Sequence, residues 1–392
     1  MIPTYHSNSP EMTQERRVEL YNSLGRNLQG YCEQLEWYSM VCSQYPNDVC
    51  MLSIFRLSYI GTDLCSSIRA CLMAKDEYER RYQIKYLWVN LYEAYNAIYS
   101  DESDAHSYLH QFAEAYPTAP KTLEYIRVVD KLESLKQAIR EDIRAPRNSF
   151  SHYDTNVCQT INMLYEINSE EAPAHYCCEL LEILQLLVQM CRGYLPTGMK
   201  VPIEKKHVNV EKMVEEMVRA RLSSNERLIT TMYDVISTVS KRMKLGHVIC
   251  TFREGLACGK KSKIYSWDVC MLIEILRADL AAALLSGLRS NLDFEFRLNM
   301  RRIRIIQYEG LFRVSEMFGK LNGKISLRQE ILGVLDTLDA QQRHAAVHYR
   351  FGEKDYIPVA YADSIRANET IGGVIDVIPF LNQLNSVVEW LK

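Results

Sequence analysis

Apolar residues in this chain recur at intervals of three and four over long stretches and almost never alternate, a period that belongs to helices rather than strands. Positions 13–44 read as one or two helices with few breakers. Pro46, Asn47 and Asp48 then supply a stop and an N-cap. The helix they open carries Met51, Leu52, Ile54, Phe55, Leu57, Tyr59 and Ile60, more apolar than a one-sided surface helix needs, so it is expected at the centre of a bundle. A further helix is expected over 76–99 through Tyr82, Leu87, Trp88, Leu91 and Tyr95, closed by the turn chemistry of 100–104. Short helix and loop fill 105–120, up to Pro117 and Pro120, and a helix follows over 121–143. Pro146 suits the first position of the next helix, where its missing N–H costs nothing. Leu180, Leu181, Ile183, Leu184 and Leu187 mark another. In the second half helices are expected over 208–244, 267–288, 294–318 and 327–338, with an apolar closing segment, Val374 to Val388, kinked at Pro379. The pattern therefore predicts an all-α protein.

The order of elements repeats. Asp48-Val49-Cys50-Met51-Leu52 recurs as Asp268-Val269-Cys270-Met271-Leu272, 220 residues later. Glu79, Arg81 and Ile84, followed by Tyr92-Glu93, match Glu295, Arg297 and Met300, followed by Tyr308-Glu309, at an offset of 216. A third block, Arg147-Asn148-Ser149-Phe150-Ser151-His152-Tyr153, recurs as Arg343-His344-Ala345-Ala346-Val347-His348-Tyr349, at 196. Three blocks in one order imply an ancient duplication with a shortened second copy. Two tandem helical bundles follow from it: a first domain over 1–195, a linker over 196–207 rich in turn and polar residues, and a second domain over 208–392.

The third block carries candidate chemistry. It sets an always-charged guanidinium and an imidazole that titrates near neutral pH at one spacing. Such a pair suits phosphodiester cleavage, with the His moving a proton and the Arg stabilising charge on the phosphorus oxygens. Positions i and i+5 lie about 140° apart on a helix, so a groove lined from two sides fits better than a pocket on one helix. Spacing alone is weak evidence: Arg242 and His247 share it, without the flanking polar residue, the Tyr or a place in the repeat. Arg297, Arg301 and Arg304 share one helical face, with Arg302 and Arg313 on the same helix and Arg80, Arg81 and Lys85 on its counterpart. These read either as a cradle for a phosphate backbone or as a solvated face carrying ion pairs to Glu79, Glu295 and Glu309. The repeated Glu79/Arg81 and Glu295/Arg297 pairs read as supports of a site or as buried bridges.

Composition narrows the remaining classes. A net charge of −3 in 392 residues means that any nucleic-acid surface must be built from locally gathered Arg and Lys. The amino terminus is polar and no long uncharged apolar run occurs, so neither a secretory signal nor a membrane span is expected and the cytoplasm is the expected location. The twelve cysteines are irregularly spaced without a Cys-x-x-Cys pair, which favours reduced thiols over disulfides or structural zinc. The glycine- and lysine-rich stretch 255–262 is one residue short of a phosphate-binding loop and follows no strand. No metal or cofactor is expected.

Arg followed by Asn or His, three variable residues and a His, on a late helix of a small helical domain, resembles the signature of the HEPN superfamily. The resemblance rests on six residues in each half. It implies helical bundles that pair so that two motifs form one composite site, and metal-independent RNA cleavage in which the 2′-hydroxyl attacks the adjacent phosphate. The products are a 2′,3′-cyclic phosphate and a 5′-hydroxyl. It further implies His152 and His348 as acid/base groups, Arg147 and Arg343 as phosphate ligands, Asn148 and His344 as positioning groups, and Tyr153 and Tyr349 packed against the histidines. Substrate contacts are expected from Arg297, Arg301, Arg304, Tyr153 and Tyr349. The expected function is thus a single-strand endoribonuclease in a defence or toxin-like context, with RNA as partner. The alternative is a non-catalytic HEPN-type protein that binds RNA or nucleotides or regulates a partner. Homodimerisation, and an activator, guide or antitoxin, are compatible with both.

Overall fold

The computed structural model describes residues 13–321 apart from 42–43, 46–47, 76, 100–106, 139–155, 167–170, 197–198, 200–210, 257–263 and 291–292. Among these residues the chain is all-helical, without strands. The first half contributes α1 (Gln14–Val41), α2 (Val49–Met73), α3 (Glu77–Ile98), α4 (Tyr108–Ala115), α5 (Leu123–Ala138), α6 (Val157–Glu166) and α7 (Glu171–Arg192), with one 3₁₀ turn at Ala119–Lys121. The second contributes α8 (Glu211–Ser224), α9 (Glu226–Leu256), α10 (Ser266–Arg289) and α11 (Asp293–Lys320). No helix among the described residues is long and apolar enough to cross a membrane.

Two helices form the centre. In α2 nearly every residue from Cys50 to Cys71 is buried, and in α10 nearly every residue from Asp268 to Arg289. A helix buried all round needs neighbours on every side, and α2 has α1, α3, α4 and α7 against it, while α10 has α6, α8, α9 and α11. Asp48 caps α2 as its sequence position predicts, accepting a hydrogen bond from Met51 N at 2.8 Å. Its repeat counterpart does other work. Asp268 lies inside the first turn of α10, where it accepts from Tyr265 N at 2.7 Å and pairs with Arg253 at 2.6 Å. The same five residues thus open both central helices with different bonding.

The helix expected over 208–244 is interrupted at Asn225 and continues beyond 244 to Leu256. Asn225 Nδ2 donates to Arg221 O at 2.8 Å, a local side-chain bond that competes with the helical ladder. Gly246, within the continuation, serves close packing: a Cβ there would lie 2.8 Å from Met271 Cε on α10. Helix α6 was not expected as a separate element. The helix expected over 327–338, the kink at Pro379 and the motif helix at Pro146 lie outside the described residues.

The two halves share one contiguous set of buried side chains, running from Leu24 on α1 to Phe318 on α11. Contacts between the halves come from α10 against α3 and α6, α11 against α2, and α9 against α3 and α6. At one close approach within the second half, a Cβ added to Gly310 would lie 2.0 Å from Leu276 Cδ1. The ten described cysteines are free thiols and seven of them are buried. Burial pushes Cys32, Cys65 and Cys177 well up from the ordinary thiol range, which makes them packing groups rather than nucleophiles.

Candidate functional site

Arg147, Asn148, His152, Tyr153, Arg343, His344, His348 and Tyr349 lie outside the described residues. The flanking elements are placed: α5 ends at Ala138 ahead of the first motif, α6 begins at Val157 just after it, and α11 ends at Lys320 ahead of the second. Arg297, Arg301 and Arg304 fall within α11, but their side chains are outside the described set.

What the described residues bring together is a row of buried charges between the halves. Arg69 on α2 donates through Nε to Glu295 Oε1 on α11 at 3.0 Å, and both side chains are almost fully buried. The rest of its guanidinium is held by α1: Nη1 donates to Tyr21 O and Nη2 to Tyr21 Oη, each at 2.8 Å, and the group lies 3.8 Å from the centre of the Tyr21 ring. Gly25 makes room for this, because a Cβ there would lie 2.6 Å from Arg69 Nη1. A second bridge runs the other way. Arg289 on α10 donates to Glu79 Oε1 on α3 at 2.6 Å, again buried, and lies 5.1 Å from the ring of Tyr233 on α9. Glu79 also accepts from Lys75 N at 3.0 Å. Each half therefore gives an Arg to the other's Glu, and each Arg rests on a Tyr from the helix beside its own.

A third group joins α3 to α10 and α11. Lys85 on α3 pairs with Asp279 on α10, both about fully buried. Arg302 on α11 lies 3.5 Å from the centre of the Tyr86 ring on α3 and donates to Gln83 Oε1 at 2.6 Å. Gln83 in turn donates to Ala282 O at 2.9 Å. Desolvation pulls the Lys85 ammonium down from its ordinary range, against the opposing pull of Asp279, and pulls the Arg302 guanidinium down as well. Burial pushes the Glu295 carboxyl up, opposed by Arg69. Tyr21 is pushed up to about 12, chiefly by desolvation.

This placement corrects the reading of the basic residues where they are described. Lys85 is neither part of a phosphate cradle nor on a solvated face; it is interior. Arg81 pairs with Glu77 and lies 4.8 Å from the Tyr165 ring on α6, and Arg313 pairs with Glu316. Glu79 and Glu295 do form buried bridges, but with Arg289 and Arg69 across the halves. Carrying the 220-residue offset through to Arg69 and Arg289 would have exposed them in the sequence, since both Arg and both Glu then fall at repeated positions. The Asp279 contact carries no such signal.

The Arg242 and His247 pair, which lacks repeat register, is used structurally. Arg242 pairs with Glu274, which also binds Arg277 at 2.9 Å. His247 stacks on Tyr165 with ring centres 4.8 Å apart and planes 7° from parallel, and its Nδ1 lies 2.9 Å from Asn162 Oδ1. These contacts fix α6, the helix that follows the first motif, onto α9 of the second half. Among the described residues no group of three or more His, Cys, Asp or Glu is gathered as a metal site would require. Comparison with family models, with curated proteins and with solved structures finds no match.

Proposed function

We propose that the chain is a duplicated HEPN-type endoribonuclease whose two halves pair within one molecule, so that Arg147, Asn148 and His152 meet Arg343, His344 and His348 at a composite site. The observation that carries this reading is the reciprocity of the two bridges. Arg69 and Arg289 are 220 residues apart, and Glu79 and Glu295 are 216 apart, the offsets of the sequence blocks that contain or adjoin them. Arg69 with Glu295 and Arg289 with Glu79 are thus one contact made twice with the halves exchanged, the mark of pairing about an approximate two-fold axis. A composite site of two motifs needs that arrangement, and the His247–Tyr165 clasp ties the first motif's following helix to the opposite half.

In the proposed reaction one His takes the proton of the ribose 2′-hydroxyl, whose oxygen attacks the adjacent phosphorus. The bond from phosphorus to the 5′-oxygen breaks, and the second His protonates that oxygen. Arg147 and Arg343 offset the negative charge that builds on the phosphoryl oxygens, and Asn148 and His344 orient the pair. Arg297, Arg301 and Arg304, on α11, are the proposed contacts to the RNA backbone. RNA is the proposed partner, in a defence or toxin-like setting.

The test is cleavage of end-labelled single-stranded RNA in EDTA by the wild type and by His152→Ala, His348→Ala and the double variant. Cutting by the wild type with 2′,3′-cyclic phosphate ends, and loss of at least ~100-fold in each single variant, is the expected result. Undiminished cutting by the double variant refutes the assignment.

A further inference from the structure

The two bridges do not by themselves say which halves pair. If the duplication proposed above holds, Arg69 in a pair of two first halves would meet Glu79 of the other copy, because Glu79 and Glu295 hold equivalent positions. In a pair of two second halves Arg289 would likewise meet Glu295. Both like pairs keep both bridges. Any discrimination must come from positions where the two copies differ, and the buried centre of the interface holds two of them.

The first difference is the lysine–aspartate pair. Lys85 lies against Asp279, and the counterpart of Asp279 at an offset of 220 is Tyr59, an uncharged residue that is itself fully buried. Two first halves would bring Lys85 of each copy to a tyrosine, so that two ammonium groups lose their carboxylates in the interior. The second difference lies at the axis. Arg302 and Tyr86 are counterparts at an offset of 216, and they touch each other, with the guanidinium 3.5 Å from the ring centre. Counterparts in mutual contact mark the axis itself. Two second halves would therefore bring Arg302 against Arg302, two like charges in a site that already depresses one guanidinium by desolvation.

From these differences we infer that the interface selects the unlike pair: Lys85 opposite Asp279 rejects a second first half, and Arg302 opposite Tyr86 rejects a second second half. The partner this surface fits is the other half of the same duplicated chain. The bridges define the surface, and the centre defines its occupant, by penalising the wrong partners as well as stabilising the right one. A composite site then always contains one Asn148 motif and one His344 motif, never two of a kind. Leaving two buried charges unpaired should suppress like pairs by more than roughly a thousandfold.

The experiment begins with the full chain carrying a protease site within 197–206, cut after folding. Nicked protein in natural and in nitrogen-15-labelled form is mixed at the urea concentration at which unlike pairs have fully exchanged isotopes, and the complexes are weighed by native mass spectrometry. The expected result is four masses, all with one first and one second half. The same mixture of the variant Lys85→Met, Asp279→Leu, Arg302→Gln should contain like pairs as well. Like pairs near their statistical share in the unmodified nicked protein overturn the inference, and so do fragments that part and never pair again. Because the readout is mass, it stands apart from the nuclease assay: loss of cleavage with four unlike masses would count against the enzyme reading alone.

Discussion

Arg69→Met is the most informative single perturbation of the interface. The substitution keeps an unbranched side chain of similar reach and removes the guanidinium. Two bonds to Glu295, at 3.0 and 3.4 Å, and two to Tyr21, both at 2.8 Å, are lost. Glu295 is only 2% exposed, so its carboxylate stays buried without its cation, at a cost of about 3–5 kcal/mol. The Tyr21 carbonyl loses its donor, which adds about 1 kcal/mol. Glu295→Leu should cost less, because Arg69 keeps Tyr21 as both acceptor and ring. The double variant Arg69→Met/Glu295→Leu should recover most of the loss, since replacing both members of a buried pair with apolar groups is often near neutral. Urea denaturation followed by tryptophan fluorescence, in a full double-mutant cycle, should therefore give a coupling of at least about 3 kcal/mol. The exchanged variant Arg69→Glu/Glu295→Arg should recover less than the apolar pair, because a carboxylate at position 69 would direct its oxygens at the Tyr21 carbonyl. Single variants within about 0.5 kcal/mol of wild type, or effects that simply add, would refute the view that this bridge is a coupled, dry contact between the halves.

Two helical glycines should respond in opposite directions. Gly310→Ala places a methyl group 2.0 Å from Leu276 and should destabilise by about 1–3 kcal/mol, whereas Gly30, with nothing within 4 Å of a built Cβ, should gain about 0.5–1 kcal/mol as Ala; thermal melts of both variants decide it. Tyr21 should ionise at about 12 rather than 10, so its phenolate should be missing near pH 11 from the ultraviolet difference spectrum of wild type minus Tyr21→Phe. A folded value above the ordinary one means that Tyr21's contribution to stability is intact below pH 10 and is lost as pH rises from 10 to 12; a phenolate appearing at pH 10 would show that burial does not desolvate Tyr21 enough to outweigh the Arg69 charge, which favours the phenolate.

Helix content was legible because burial on one side of a helix enforces a period of three to four, and the start of α2 and both ends of α3, α10 and α11 fall within two residues of their expected places. Central burial of α2 was legible too, from apolar residues on all faces. The helix expected over 208–244 differs from the observed pair for two reasons: Asn225 breaks it through its own side-chain bond, and at Gly246 it continues because a neighbour's Met271 needs the space. Lys85 and Arg302 misled because charge reads as exposure unless its partner is known, and their partners lie far along the chain. Lys85 and Asp279 are 194 apart, Arg69 and Glu295 are 226 apart, and no local pattern links them.

By itself, then, the sequence determined most of the helices, the order of the repeated blocks and the positions of the two Arg/His motifs, because periodicity, capping and repetition are properties of neighbours along the chain. Only the tertiary structure decided that Arg69 serves Glu295 and Arg289 serves Glu79, that Lys85 is interior, and that Arg302 sits on Tyr86. Each of those outcomes depends on which distant surface excludes water from the charge, and a buried ion pair is specified by that shared exclusion rather than by either residue alone.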